Sequence, residues 1–150
     1  MIREKSCGAV IWNGGAGERR YLIERMVKGH TSLCKGHVEG KETEHETAAR
    51  EIMEETGLQV KFCRGFREII SYSPYPGCIK KVVFFLAEAS RTDVVAQPEE
   101  VDHILWLPLE QALEALTHAS DREVLRKAEA WLKRKEGQNR GSTPDVDGIQ

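Results

Sequence analysis

Three glutamates, Glu51, Glu54 and Glu55, fall close together in a segment spanning residues 36–58 that reads GHVEGKETEHETAAREIMEETGL. Residues three and four apart on a helix share a face, so a helical segment here would project all three carboxylates together. Converging anionic oxygens with room left for water and phosphate are what a hard divalent cation takes as ligands. Mg²⁺ or Mn²⁺ suits such a set better than zinc. A solvated acidic helix face has the same composition, since like charges at this spacing cost only about 0.2–0.5 kcal/mol per pair. The flanking residues separate the two readings.

Gly57 directly follows the helical pattern, where a left-handed C-terminal cap favours a residue without a side chain. Gly36 opens a loop rich in turn formers. From Glu39 to Glu55 there are seven acidic residues against two basic ones, Lys41 and Arg50, while the whole chain of 150 residues carries a net charge of only −2. Acid this concentrated repels a polyanion unless cations intervene, so a phosphate-handling site here requires metal first. Lys35, Lys80 and Lys81 are the nearby sources of further positive charge.

Written as G-x5-E-x7-R-E-U-x-E-E-x-G-U, with U aliphatic, the positions Gly36, Glu42, Arg50, Glu51, Ile52, Glu54, Glu55, Gly57 and Leu58 resemble the signature of the Nudix hydrolases throughout. That resemblance implies an α+β fold, a mixed β-sheet sandwiched between α-helices, and metal-dependent cleavage of a phosphoanhydride by in-line attack of water. It also implies that Glu54 and Glu55 are metal ligands, that Glu51 is either a ligand or the general base, and that a carbonyl at or beside Gly36 joins the coordination shell. Glu42 and Arg50 then brace the loop against the helix by an ion pair. Many family members add an acid from a later loop. In QPEEVDHILWL this is Glu99 or Glu100, and counting back from Trp106 and Leu107 favours Glu100.

The stretches KSCGAVIW, KGHVEG, GFREIISYSP and KKVVFFLAEA are similar to the bacterial bis(5'-nucleosyl)-tetraphosphatase subfamily, whose members hydrolyse diadenosine tetraphosphate to ATP and AMP. The resemblance puts Lys35, His37 and Lys80 near the phosphate chain and uses Phe84 to stack adenine, although Phe84 also fits a core strand. Tyr72 and Tyr75, in SYSPYPG, are independent candidates for a base platform, since aromatic side chains stack on any nucleobase. Two departures bear on nucleotide grip: Thr31 and Cys34 replace an aromatic residue and a proline before K-G-H, and Ile104 stands where a tyrosine often does. The alternatives are a Nudix pyrophosphatase acting on nucleoside triphosphates, nucleotide sugars or RNA 5' ends, and a nucleotide-sensing module that binds without cleaving. An extended nucleic-acid surface is disfavoured by a pI near 6.2 and the lack of a basic stripe.

The elements that must position these residues are strands near Lys5–Trp12 and Arg20–Arg25, a loop through Cys34, and the acidic helix at Glu44–Thr56. Ala48, Ala49 and Ile52 form its apolar stripe. Later strands are expected at Val60–Phe62, Phe66–Ser73, Ile79–Ala89 and Ile104–Leu107. Helices over Leu109–Leu116 and Asp121–Lys135 follow. The run Gly14-Gly15-Ala16-Gly17 lacks the lysine of a phosphate loop and reads as a hairpin turn. One domain over 1–136 is expected, with 137–150 a polar, disordered tail. Four separated cysteines read as reduced structural thiols. The histidines show no zinc-hydrolase spacing, and no apolar run is long enough for a signal peptide or a membrane span. Cytoplasmic location and a small-molecule nucleotide partner are the matching expectations.

Overall fold

The computed structural model describes residues 1–15 and 17–138. Its elements run β1 (Ile2–Asn13), β2 (Arg20–Met26), β3 (Thr31–Ser32), β4 (Cys34–His37), α1 (Glu44–Thr56), β5 (Val60–Phe62), β6 (Glu68–Tyr72), β7 (Cys78–Ala89), β8 (Val101–Leu107), α2 (Leu109–Ala115) and α3 (Ala119–Gln138). The frame is a mixed sheet in the order β3-β2-β1-β7-β5, with β4 paired to β1, β6 to β7 and β8 to β2. Its centre is the parallel pair β1 and β7, in register from Ile2 opposite Cys78 to Trp12 opposite Glu88. The other pairings are antiparallel.

Side chains alternate across a strand, and β7 divides accordingly. Val82, Phe84 and Leu86 point into a core closed by Ala112 of α2 and by Val124, Leu125, Ala128, Trp131 and Leu132 of α3. Val83, Phe85 and Ala87 point the other way, onto Ala48 and Ile52 of α1. The sheet is thus covered on both faces by helices, as the α+β expectation requires. Phe84 is 0% exposed among those core residues, which corrects its reading as an adenine-stacking residue. The strand alternation gives the even-numbered positions of this run to the core under α2 and α3 and the odd-numbered ones to the core under α1.

Several boundaries and one face assignment depart from the sequence reading. The segment read as a loop through Cys34 contains β3 and β4, and β4 is joined to β1 from Ser6 opposite His37 to Ala9 opposite Cys34. Its residues, CKGH, have no apolar alternation, so only the pairing partner reveals a strand. Ala49 is exposed, and Thr47 takes its place on the buried stripe of α1. Helix α3 continues through Gly137 to Gln138, two residues into the stretch read as a tail. The rest of that stretch, 139–150, lies outside the described residues. Strands β1 and β2 pair antiparallel, as a hairpin requires, and Ala16 of the run read as its turn lies outside the described residues. All four cysteines are buried thiols outside any disulfide. Among the described residues no helix is long and apolar enough to cross a membrane.

Candidate active site

Helix α1 is fixed at both ends by its own sequence. Thr43 caps the N-terminus, accepting from the Glu46 N–H while the Glu46 carboxylate accepts from the Thr43 N–H, a complete capping box. Gly57 ends it at φ 77°, in the left-handed region, with its N–H donating to Met53 O at 2.9 Å. Between these ends the glutamates separate. Glu51 and Glu55, one turn apart, lie on the buried stripe at 9% and 1% exposure, whereas Glu54 stands in solvent.

Arg50 binds the loop to the helix. Its guanidinium donates to both oxygens of Glu42 (2.6 and 3.1 Å), to Glu51 (2.8 Å), to Glu54 (3.1 Å) and to the His37 carbonyl (2.8 Å). The hydrogen bond from Arg50 holds the Glu42 carboxyl down at about 2. At the loop's start, Gly36 packs so closely on Glu51 that a Cβ there would overlap its carboxyl group. Gly36 and the helix glutamates Glu51, Glu54 and Glu55 border the same space.

That space is a cleft of about 640 Å³. Glu51, Glu54 and Glu55 line one wall, Gly36 and His37 the next, and Glu99 and Glu100 a third, so both candidates for the late acid reach it. Lys28, Lys35 and Lys80 line it as well. Burial, with Lys35 close by, pulls the Lys80 ammonium below its ordinary range. His37 is exposed, with Nε2 at 3.8 Å from Glu4. Tyr72 ends β6 on the cleft's rim rather than in a loop. Tyr75 is not among the lining residues, and its hydroxyl lies 3.5 Å from Glu4. Lys81 is likewise outside the lining.

Behind Glu55 lies a residue the sequence reading does not single out. Glu24 is 0% exposed, and neither carboxyl oxygen has a hydrogen-bond partner. One ligand atom each of Glu24, Cys34 and Glu55 lie within 4.8 Å of one another. The Cys34 thiol donates to Glu55 at 3.2 Å. Burial first, and then the Glu24 carboxyl, push Glu55 well above the ordinary glutamate range, and burial pushes Glu24 up too. Two adjacent buried carboxyls need a proton or a cation between them. The available signal was an acid on the same strand face as Leu22 in the strand RYLIERM.

A family model described as NUDIX domain matches residues 3–128. The chain belongs to this family. NUDIX relatives of known activity include an 8-oxo-(d)GTP phosphatase of Mycolicibacterium smegmatis, 35% identical over 133 residues. The match covers 82% of this chain and 40% of that protein, so the chain spans well under half its length. The asymmetrical bis(5'-nucleosyl)-tetraphosphatase of Sus scrofa is 33% identical, over 75% of this chain and 80% of that one. Among solved structures, a binary complex of the C. elegans Ap4A hydrolase superposes with a TM-score of 0.81 at 28% identity, covering 87% of this chain and 98% of the other. NUDIX enzymes generally use divalent metals. The donor set here fits one: oxygen-rich, clustered, and backed by the buried carboxyls of Glu24 and Glu55.

Proposed function

We propose that this NUDIX hydrolase is a Mg²⁺-dependent dinucleoside polyphosphatase, with Mn²⁺ able to substitute, that cleaves diadenosine tetraphosphate asymmetrically to ATP and AMP. The observation that carries the reading is the composition of one cleft. Acidic ligands from α1 and lysines from β4 and β7 face the same volume, an arrangement suited to a polyanion held together with cations. Similarity to tetraphosphatases over most of both chains supports the substrate class.

Glu51, Glu54, Glu55, Glu100 and a carbonyl at Gly36 would hold the metal. When bound, it neutralises phosphate charge and makes water a stronger nucleophile. The chain's own contributions are positional. Arg50 orients Glu51 and Glu54 through the hydrogen bonds described above. Glu51, lining the cleft beside Gly36, would serve as ligand or as acceptor of the water proton, tasks that both need a fixed carboxylate. Lys35 and Lys80, with His37 beside them, offer donors to the non-bridging phosphate oxygens. Tyr72, at the rim, presents a ring to a base.

A second reading, a nucleoside triphosphate pyrophosphatase, is favoured by the similarity to the M. smegmatis phosphatase. One assay separates them. Dinucleoside polyphosphates, nucleotide sugars and nucleoside triphosphates are incubated with Mg²⁺ and the products resolved by chromatography. Predominant release of ATP with AMP from diadenosine tetraphosphate is expected; faster turnover of triphosphates would reverse the assignment.

A further inference from the structure

Beneath the cleft, two carboxyls and a thiol meet from three different elements. Glu24 comes from β2, Cys34 opens β4 opposite Ala9 of β1, and Glu55 lies in the last turn of α1. One ligand atom of each lies within 4.8 Å of the others, and the three residues are 0%, 0% and 1% exposed. Of the three, Glu55 lines the cleft; Glu24 and Cys34 are not among its lining residues. The thiol is fixed in place. Strand β4 packs on β1 so closely that a Cβ at Gly8 would overlap the Cys34 carbonyl.

A buried thiol is ordinarily a small apolar filler. Cys34 has that role in part, in the core cluster with Ala48 and Ile52, but its Sγ also stands 3.2 Å from Glu55 Oε1. Glu24 is harder to explain by packing. A fully buried carboxyl whose two oxygens have no hydrogen-bond partner carries a desolvation cost that no hydrogen bond offsets. A proton shared with Glu55 would satisfy one oxygen of Glu24 and asks nothing of the sulfur. A cation would engage all three groups.

The donors decide which cation. Mg²⁺ takes oxygen ligands in octahedral geometry and keeps several waters, which a dry pocket with sulfur in its wall does not suit. Thiolate is a soft ligand, and three protein ligands with one open position is a zinc-type arrangement. Tetrahedral bonds of about 2.0–2.3 Å set ligand atoms roughly 3.3–3.8 Å apart. The Cys34 to Glu55 separation is already close to that.

We propose that Glu24, Cys34 and Glu55 form an inner site for a thiophilic divalent cation of the zinc class, sharing only Glu55 with the Mg²⁺ ligands of the cleft. On binding, the Cys34 thiol gives up its proton to solvent. Because Glu55 is common to both sites, the inner ion draws that carboxylate out of the cleft and inhibits Mg²⁺-supported hydrolysis. This consequence, unlike the binding itself, rests on the reading of the cleft given above.

Co²⁺ titrated into the whole protein reports the site, because thiolate-to-cobalt charge transfer absorbs in the near ultraviolet where cobalt held by oxygens alone does not. A saturable band is expected. It should vanish in Cys34→Ser, and Glu24→Gln should bind Co²⁺ about tenfold or more weakly. Zn²⁺, which is d¹⁰ and silent, should bleach the band, and Mg²⁺ in about a hundredfold excess should not. In a hydrolysis assay with Mg²⁺, Cys34→Ser should be about tenfold or more less sensitive to added Zn²⁺ than the wild type.

No band in the unaltered protein, a band bleached equally by Mg²⁺, or a band undiminished in Cys34→Ser would each overturn the site, and the first two need no variant to fold. Equal Zn²⁺ sensitivity of wild type and Cys34→Ser would overturn the competition for Glu55. Hydrolysis of polyphosphates with no cobalt band refutes the inner site alone. The expected band without polyphosphate hydrolysis refutes the reading of the cleft alone.

Discussion

Gly36 and the Glu51 carboxyl are packed so closely that a side chain at residue 36 would force the carboxylate away. Displacing a reacting group by about 1 Å can cost on the order of a hundredfold in rate. Gly36→Ala is therefore expected to lower kcat by at least about tenfold while the protein still melts cooperatively, checked by steady-state kinetics beside a thermal melt; unchanged turnover would mean that this contact does not serve the chemistry. Glu55→Gln keeps the shape and removes the charge, and a loss of roughly a hundredfold or more is expected. These residues are legible in the sequence because they are neighbours along one helix and its loop. Glu24 is not, because it acquires its meaning from a partner on another element, Glu55. Phe84 fails for a different reason: a continuous apolar strand shows no face, and only its central place in the sheet, covered by helices on both sides, puts Phe84 in the core. Phe84→Ala should accordingly cost about 3–5 kcal/mol of stability, read by denaturant unfolding, without changing which nucleotide is preferred.

Helix α1 shows how far local sequence determines an element. Its bounds, Glu44 to Thr56, follow from the cap at Thr43 and the glycine at 57, both legible by type. What periodicity misplaces is the stripe, because Thr47 and the two site glutamates, and not Ala49, turn inward. The loop before it is held by Arg50, and that contact has a pH signature. Glu42 titrates at about 2 in the folded protein against an ordinary value of 4.5, chiefly through its hydrogen bond from Arg50. Glu44 is likewise held at about 2, chiefly by Arg67. A depressed carboxyl stabilises the fold above its unfolded value and loses that contribution as pH falls through the folded one. The melting temperature should thus decline between about pH 4.5 and 2. In Glu42→Gln the protein should melt lower at neutral pH, and its decline in that acid window should be shallower. An identical slope in wild type and variant, measured by calorimetry across the window, would remove this pair from the account.

For the molecule as a whole, the parallel pair β1 and β7 is the frame on which opposite charges are brought together. Strand β4, paired to β1, carries Lys35; β7 itself carries Lys80; and α1, packed on the same sheet, carries the glutamates. The mixed, helix-covered sheet could be anticipated from strand and helix patterns, whereas the meeting of these walls depends on sheet order, which no single segment encodes. The same architecture buries Glu24 and Glu55 side by side. A divalent ion held there, as proposed, would favour the folded protein over the unfolded chain, whose carboxylates are dispersed. Ligand present at a hundred times its dissociation constant stabilises by about 2.7 kcal/mol. Mg²⁺ or Mn²⁺ should raise the melting temperature of the wild-type protein, and the rise should shrink in Glu55→Gln. Chelation should abolish turnover and leave the circular dichroism of the sheet and helices intact, since caps and core are independent of the ion. A melting temperature indifferent to both ions, or turnover that survives complete chelation, would mean that the buried pair is neutralised by a proton alone and that the acidic helix is not a metal site.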